Sequence, residues 1–305
     1  MRPALVILGN LLVDDVVLPD GRTRMGQPGG AILYAALAAA LWTDRVGCVS
    51  LAGSDYPAPM LDALARREVD LAGVKPQGGP GLRTWLLYEN GVRRVVHRLA
   101  GPSHADVSPL PRQIPAAWRK ARAFHVAPMP LESQRALAAA GGATTFVSVD
   151  PHVPVTDATL GAWRSLLARV HAFFPGEDEL QLEGVAADPR PALAQLAGGR
   201  LRFVAWKRGA AGGLLFDTET GRFHTWEGRA REVVDPTGAG DAFAAGFLTA
   251  HLDGRSVEES LQRAVVTASF ALESWGPAAL LEATRADAEA RLREWFGAGA
   301  VKERA

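Results

Sequence analysis

Short apolar runs alternate with amphipathic or alanine-rich segments along most of the chain, the pattern of strands joined by helices. Leu5–Leu8 is a continuous apolar run of strand length, and Arg45–Ser50, Phe124–Ala127, Thr145–Asp150 and Leu201–Trp206 are read as further strands. Helices are expected at Ala31–Trp42, Pro59–Arg67, Leu131–Ala140, Asp241–Leu252, Val257–Glu273 and Arg285–Phe296. Two stretches break the alternation. Val16-Val17-Leu18 runs into the turn Pro19-Asp20-Gly21 and then polar residues, which predicts an exposed hairpin. Leu82–Tyr88 and Val92–Leu99 flank Asn90-Gly91, the pair that a two-residue type I′ turn favours. We read these stretches, residues about 15–28 and 81–101, as a small β lid inserted into one α/β domain spanning 1–305. Strands connected by helices imply parallel βαβ units, with ligands at the C-terminal strand ends.

Composition narrows the function classes. The 33 basic and 33 acidic residues balance, so no net field draws the chain to nucleic acid or an anionic membrane. Cys48 is the single cysteine, which excludes a disulfide framework and a thiolate cluster. The seven histidines lie far apart in sequence, with no ligand spacing on a helix. The apolar run at the start is too short for a signal segment or a membrane span. A cytoplasmic enzyme is the expectation.

Candidate chemistry concentrates in Val233–Phe247. A short apolar run meets Asp235-Pro236-Thr237-Gly238-Ala239-Gly240, and Asp241 then opens a helix of small and apolar residues. Backbone N–H groups at a helix N-terminus, with the positive end of its dipole, favour an anion beside that carboxylate. Gly238 and Gly240 let backbone approach a ligand closely. The string G-x-x-x-x-G-K-[ST] is missing from the chain, and Phe243 stands where a dinucleotide fingerprint needs its third glycine. A bare G-x-G is most often an ordinary turn before a buried helix; the acid that follows at once shifts the balance toward a site.

Asp235-Pro236-Thr237-Gly238-Ala239-Gly240-Asp241 resembles the second signature of the ribokinase-like (PfkB) carbohydrate kinases. That family transfers the γ-phosphate of ATP to a hydroxyl of a sugar, polyol or nucleoside. The resemblance extends over almost the whole chain and implies a three-layer ribokinase-like α/β fold, with a mainly parallel central sheet and a small β lid. It implies Asp241 as the base, with the amides of Gly238, Ala239 and Gly240 as the anion hole. Gln27-Pro28-Gly29-Gly30 is similar to the first signature, which binds substrate and hinges the lid; Gly29 and Gly30 match, while Tyr34 stands where Asn is usual. Asn10 and Asp14 are then expected on substrate hydroxyls. Asp150-Pro151-His152 has His where the family's strand end commonly carries Asn, and Gly176 replaces the Asn of its N-x-x-E. Glu179 matches the glutamate that holds Mg²⁺ through water. Lys207, Gly209 and Gly212 belong to a turn comparable to one that contacts nucleotide phosphates and ribose. Gly276, followed by Pro277, is similar to a turn beside the adenine. Asp235 and Thr237 are expected near a monovalent cation, K⁺. ATP and Mg²⁺ are the other implied cofactors.

The acceptor is read as a small sugar or polyol, and Gly9-Asn10, Asp14 and Gly29-Gly30-Ala31 are reminiscent of the inositol kinase branch. A nucleoside kinase is the alternative, for which Tyr34, Trp85 and Tyr88 offer aromatic surface. A non-catalytic relative that binds a metabolite or a protein partner is the rival from another class. Lid hairpins with open edges also suggest a homodimer.

Overall fold

The computed structural model describes residues 2–89 and 92–297; the expected Asn90-Gly91 turn and the tail after Gly297 lie outside the described residues. The large sheet has nine strands, in the order Arg222–Trp226, Gly213–Asp217, Phe203–Lys207, Ala172–Phe173, Phe146–Val149, Ala123–Val126, Leu5–Leu8, Val46–Ala52 and Asp70–Pro76. From Phe203–Lys207 to Asp70–Pro76 every pairing is parallel, and the other two strands add antiparallel at one end.

Leu5–Leu8 shows why a continuous apolar run was needed. It lies between two parallel neighbours, and successive side chains of a strand point to opposite faces. Val6 and Leu8 join a core with Trp163, Leu137 and Leu193; Leu5 and Ile7 join another with Leu33, Trp42 and Ala245. The helices Leu131–Ala138, Leu160–Leu167 and Pro189–Ala194 thus cover one face, while Ala31–Ala40, Ala239–Leu252 and Val257–Leu272 cover the other.

Ala239–Leu252 carries no amphipathic stripe because it has no wet side: Ala242 through Ala250 are all buried. Small residues let it pack closely on both helical neighbours, and a Cβ at Gly246 would come within 2.9 Å of Ala264 Cα. The helix starts at Ala239, two residues before Asp241, where the sequence pattern suggested. Gly238 at φ 80° is the N-cap, so Asp241 sits within the first turn rather than at its first position.

The second sheet has four strands, ordered Thr23–Gly29, Leu12–Val17, Arg83–Glu89, Val92–His97. Each outer pairing is antiparallel, and the two hairpins join through a parallel pairing of Leu12–Val17 with Arg83–Glu89. Arg83 holds Asp15 bidentately across that seam, with both contacts at 2.7 Å. Val16, Leu18 and Leu86 pack beneath this sheet against Tyr88 and Trp275. Among the described residues, no helix is long and apolar enough to cross a membrane.

Candidate active site

A cleft of about 870 Å³ runs between the small sheet and the C-terminal ends of the parallel strands. Its wall includes Asn10, Asp14, Gly30 and Tyr34 on one side and Thr237, Gly238, Ala239, Gly240 and Asp241 on another. Glu179, Lys207, Gly209 and Gly212 complete a third side. Residues far apart in the chain therefore meet around one space. Gly29, Asp235 and Gly276, expected at the site, do not line it.

Those three residues support the wall from behind. A Cβ on Gly29 would fall 1.9 Å from Asp14 Oδ2, so the glycine gives the carboxylate its room. Asp235 is buried, and its Oδ1 accepts the Thr237 N–H at 2.9 Å while Oδ2 accepts the Gly276 N–H at 3.1 Å. One carboxylate thus ties the 235–241 turn to the 274–277 turn. Gly276 lies beside Tyr34 and Gln27 rather than on the open cleft.

The 238–241 turn presents the first N–H groups of a helix whose body is fixed in the core. Those amides have no carbonyl one turn back within the helix, and the positive end of the dipole adds to them. Gly238 is in the left-handed region, and a Cβ there would meet the Tyr34 ring at 2.1 Å. Tyr34 is therefore packed flat against the turn. Burial raises its hydroxyl pKa well above the ordinary value, helped by the negative charges of Asp14, Asp235 and Asp241. The phenol is therefore neutral at ordinary pH. From the small sheet, Tyr88 Oη meets Thr237 Oγ1 at 3.0 Å, so the strand Arg83–Glu89 touches the turn directly.

Lys207 ends the strand Phe203–Lys207, and its Nζ is 2.6 Å from Asp150 Oδ2. The same ammonium lies against Gly240, where a Cβ would come within 3.2 Å of it. Burial pushes the Asp150 carboxyl up against the pull of Lys207, and the charges of Glu179 and Asp241 add to that push. Sequence spacing does not predict the pair: Asp150 follows Phe146–Val149 and Lys207 ends Phe203–Lys207, strands separated by Ala172–Phe173, a placement that only the sheet order reveals. Glu179 Oε2 accepts the Gly176 N–H at 2.7 Å, capping the short turn Glu177–Glu179. Glu177 and Asp178 line the cleft beside it.

On the Asn10 side of the cleft, Asn10 Nδ2 donates to Ser108 Oγ at 3.2 Å, and Asn10 Oδ1 is buried without a hydrogen-bond partner among the described residues. Gly30, at φ 101°, brings backbone against the Asn10 carbonyl. Of the aromatics considered for stacking, Tyr34 and Tyr88 line the cleft and Trp85 does not. The histidines require a correction. His97, His104 and His152 converge on this wall, with ligand-capable nitrogens all within 4.8 Å of one another. Spacing along one helix could not show this, because they come from a lid strand, the segment after it and a strand end of the large sheet. Burial, with its two neighbours, lowers the His104 pKa to about 3.

Known proteins resemble this chain in sequence and in fold. Residues 10–284 match the model of the pfkB family carbohydrate kinases. A cytidine kinase from Thermococcus kodakarensis is 32% identical over 279 residues, covering 89% of this chain and 97% of that protein. Two solved structures share the fold. One is a Ribokinase II from E. coli in complex with ATP and Mg²⁺, with TM-score 0.71, 19% identity, and coverage of 96% of this chain and 100% of that one. The other is a Burkholderia thailandensis nucleoside kinase in complex with inosine, with TM-score 0.72, 16% identity, and coverage of 96% and 97%.

Proposed function

The chain belongs to the pfkB family of carbohydrate kinases, and from that footing we propose that it is an ATP-dependent nucleoside kinase. The observation that carries the reading is one cleft holding Asp241 and its helix N-terminus opposite Asn10 and Asp14. The acceptor class rests on the cytidine kinase relative, matched over 97% of its length, and on an acceptor end walled by Tyr34, Tyr88 and three imidazoles. A nucleoside's base would use that aromatic wall, which a small sugar or polyol, the other acceptor expected, does not need.

In the proposed reaction, Asn10 and Asp14 bind hydroxyls of the nucleoside's ribose. Asp241 accepts the proton of the hydroxyl that attacks the γ-phosphate of ATP, and ADP and a nucleoside monophosphate leave. The amides of Gly238, Ala239 and Gly240 stabilise the charge on the phosphoryl group in transfer. The transition state is loose, so positioning and neutralisation supply most of the acceleration. Lys207, held by Asp150, brings a positive charge to the same place. Gly209 and Gly212 let backbone pass close to the nucleotide, with Gly276 behind the turn. The acids on the cleft wall, Glu177, Asp178 and Glu179, are hard oxygen donors of the kind Mg²⁺ takes, which fits a Mg²⁺–ATP substrate. Bound Mg²⁺ supplies neutralisation of phosphate charge. Asp235 and Thr237 stiffen the turn through protein partners, and a K⁺ ion beside them would add to that stiffness.

The small sheet serves as a lid over the acceptor, excluding water as a competing nucleophile. Its outer strands, Thr23–Gly29 and Val92–His97, carry exposed Met25 and Val96, and we assign the homodimer to these edges. A mass of one chain by light scattering removes that assignment.

The experiment is ADP release with Mg²⁺ over cytidine, uridine, adenosine, guanosine, ribose, fructose and myo-inositol, with Asp241→Asn in parallel. A nucleoside should be preferred, and the variant should lose turnover by about 10²–10⁴-fold while binding ATP normally. Preference for a sugar or polyol overturns the acceptor. Stimulation by none of them favours a non-catalytic relative.

A further inference from the structure

His97, His104 and His152 come from three separate parts of the chain and share no covalent reason to be together. His97 ends the lid strand Val92–His97, His104 lies in the segment that returns to the body, and His152 follows the strand Phe146–Val149. Their ring centroids are 5.2 Å (His97–His104), 6.1 Å (His97–His152) and 4.5 Å (His104–His152) apart. His104 Nδ1 and His152 Nε2 stand 3.2 Å apart.

We propose that these three imidazoles form a binding site for one divalent transition-metal ion of the Zn²⁺ class, bridging the small sheet and the large one. The spacing carries the argument. With Zn–N bonds of 2.0–2.1 Å, the edge of a tetrahedron is roughly 3.3–3.4 Å, and the His104–His152 separation already matches it within about 0.2 Å. The remaining nitrogen separations, none above 4.8 Å, close by rotation of a ring. His97 Nδ1 lies 3.2 Å from the hydroxyl of buried Thr84, the outer partner that ligating histidines use to fix ring and tautomer.

Three imidazoles leave a fourth coordination position, and all three residues line the cleft. That position suits an oxygen from water or from the acceptor. The site is distinct from the one proposed for Mg²⁺: nitrogen ligands select borderline metals, whereas Mg²⁺ takes oxygen and keeps water. Because ligands come from both sheets, the ion would hold the lid strand to the body. The inference does not rest on the kinase reading or on the acceptor's identity.

The test uses the full chain without a histidine tag, stripped with chelator and then titrated with Zn²⁺ by calorimetry and with Co²⁺ by visible spectroscopy. One equivalent should bind, and the Co²⁺ form should show the intense absorption of tetrahedral nitrogen ligation. His104→Asn and His152→Asn should each weaken Zn²⁺ by more than about 100-fold, and Thr84→Val by about 10-fold. His224→Asn, remote and paired with Glu258, should leave it unchanged. Circular dichroism of the metal-free variants checks that they fold. The wild-type spectrum decides even where a variant does not. A weak octahedral spectrum, the lack of saturable binding at one equivalent, or unchanged affinity in the folded variants would each overturn the site.

Discussion

Gly238→Ala tests the geometry of the turn in numbers. Gly238 has φ 80° and ψ −3°, a left-handed conformation that costs an alanine about 1–2 kcal/mol. The added Cβ would also lie 2.1 Å from Tyr34 Cγ and Cδ1, atoms of a buried ring that cannot swing away. Overpacking of that kind costs about 1–3 kcal/mol. The two terms sum to roughly 2–5 kcal/mol, a sizeable part of the 5–15 kcal/mol that holds a typical domain. With an unfolding entropy of about 2.1 cal/mol/K per residue over 305 residues, Tm should fall by roughly 3–8 °C.

Gly254 supplies the internal control. It has φ 75°, and a Cβ there would meet nothing within 4 Å, so Gly254→Ala bears the backbone term alone. Calorimetric melting of both variants separates strain from collision. Tyr34→Ala in each background completes a cycle whose coupling should equal the collision, about 1–3 kcal/mol. Moving the amides should also lower kcat by about 10²–10³-fold. If Gly238→Ala melts no lower than Gly254→Ala, the ring does not pack on the turn as described. Full kcat in that variant would remove the anion hole from this turn.

Tyr88→Phe deletes the bond to Thr237, a neutral contact of about 0.5–1.5 kcal/mol, and should raise KM for the acceptor more than it lowers kcat. Equal loss in both would make Tyr88 part of the chemical step instead. Burial opposes ionisation of Asp15, but the bonds from Arg83 and the Gly26 N–H outweigh it and leave its pKa below the ordinary value. Its contribution is then fully present above about pH 4 and lost as pH falls through the lowered value. Urea midpoints of Asp15→Asn and wild type should therefore converge below pH 4; a constant gap refutes the pairing. His125 runs the other way in charge: burial, then Lys207, lowers its pKa to about 3. The unfolded chain binds a proton there below about pH 6.5 that the folded chain refuses, so stability falls with acid by up to about 1.4 kcal/mol per pH unit. His125→Gln should flatten that slope between pH 6 and 4, and an unchanged slope would show that His125 does not titrate on unfolding.

How much of this was legible follows the physics of each element. Leu5–Leu8 and Arg285–Phe296 appear at their expected bounds, because burial on both faces and a Thr284 cap leave little ambiguity. The strands Asp70–Pro76 and Arg222–Trp226 went unrecognised. Both are sheet edges, mostly exposed or half-buried, so polar and small residues interrupt their period. The turn at 235–241 was readable because its parts are adjacent in sequence. Asp150 with Lys207 and the three histidines were not, since only the strand order brings them together.

That contrast bears on the departures from the family's asparagines. If Tyr34, His152 and Gly176 marked the decay of a catalytic site, each should sit loosely, with its surroundings unadjusted. Instead each is matched by a neighbour. Tyr34 fills the space that a glycine at 238 leaves, and a larger residue there would collide with it. His152 meets His104 at 3.2 Å. Gly176 gives its N–H to Glu179 Oε2 at 2.7 Å, with only 3.1 Å between a Cβ and that oxygen. Burying a tyrosine beside three carboxylates is also costly unless something retains it. Matched replacements around an intact 238–241 turn fit a site re-specified rather than one decayed. The 238–241 turn is anchored by a helix buried from Ala242 to Ala250, where almost any change is a packing error. The opposite wall is assembled from two sheets, so its residues can change identity while the frame that aims them at Asp241 stays in place.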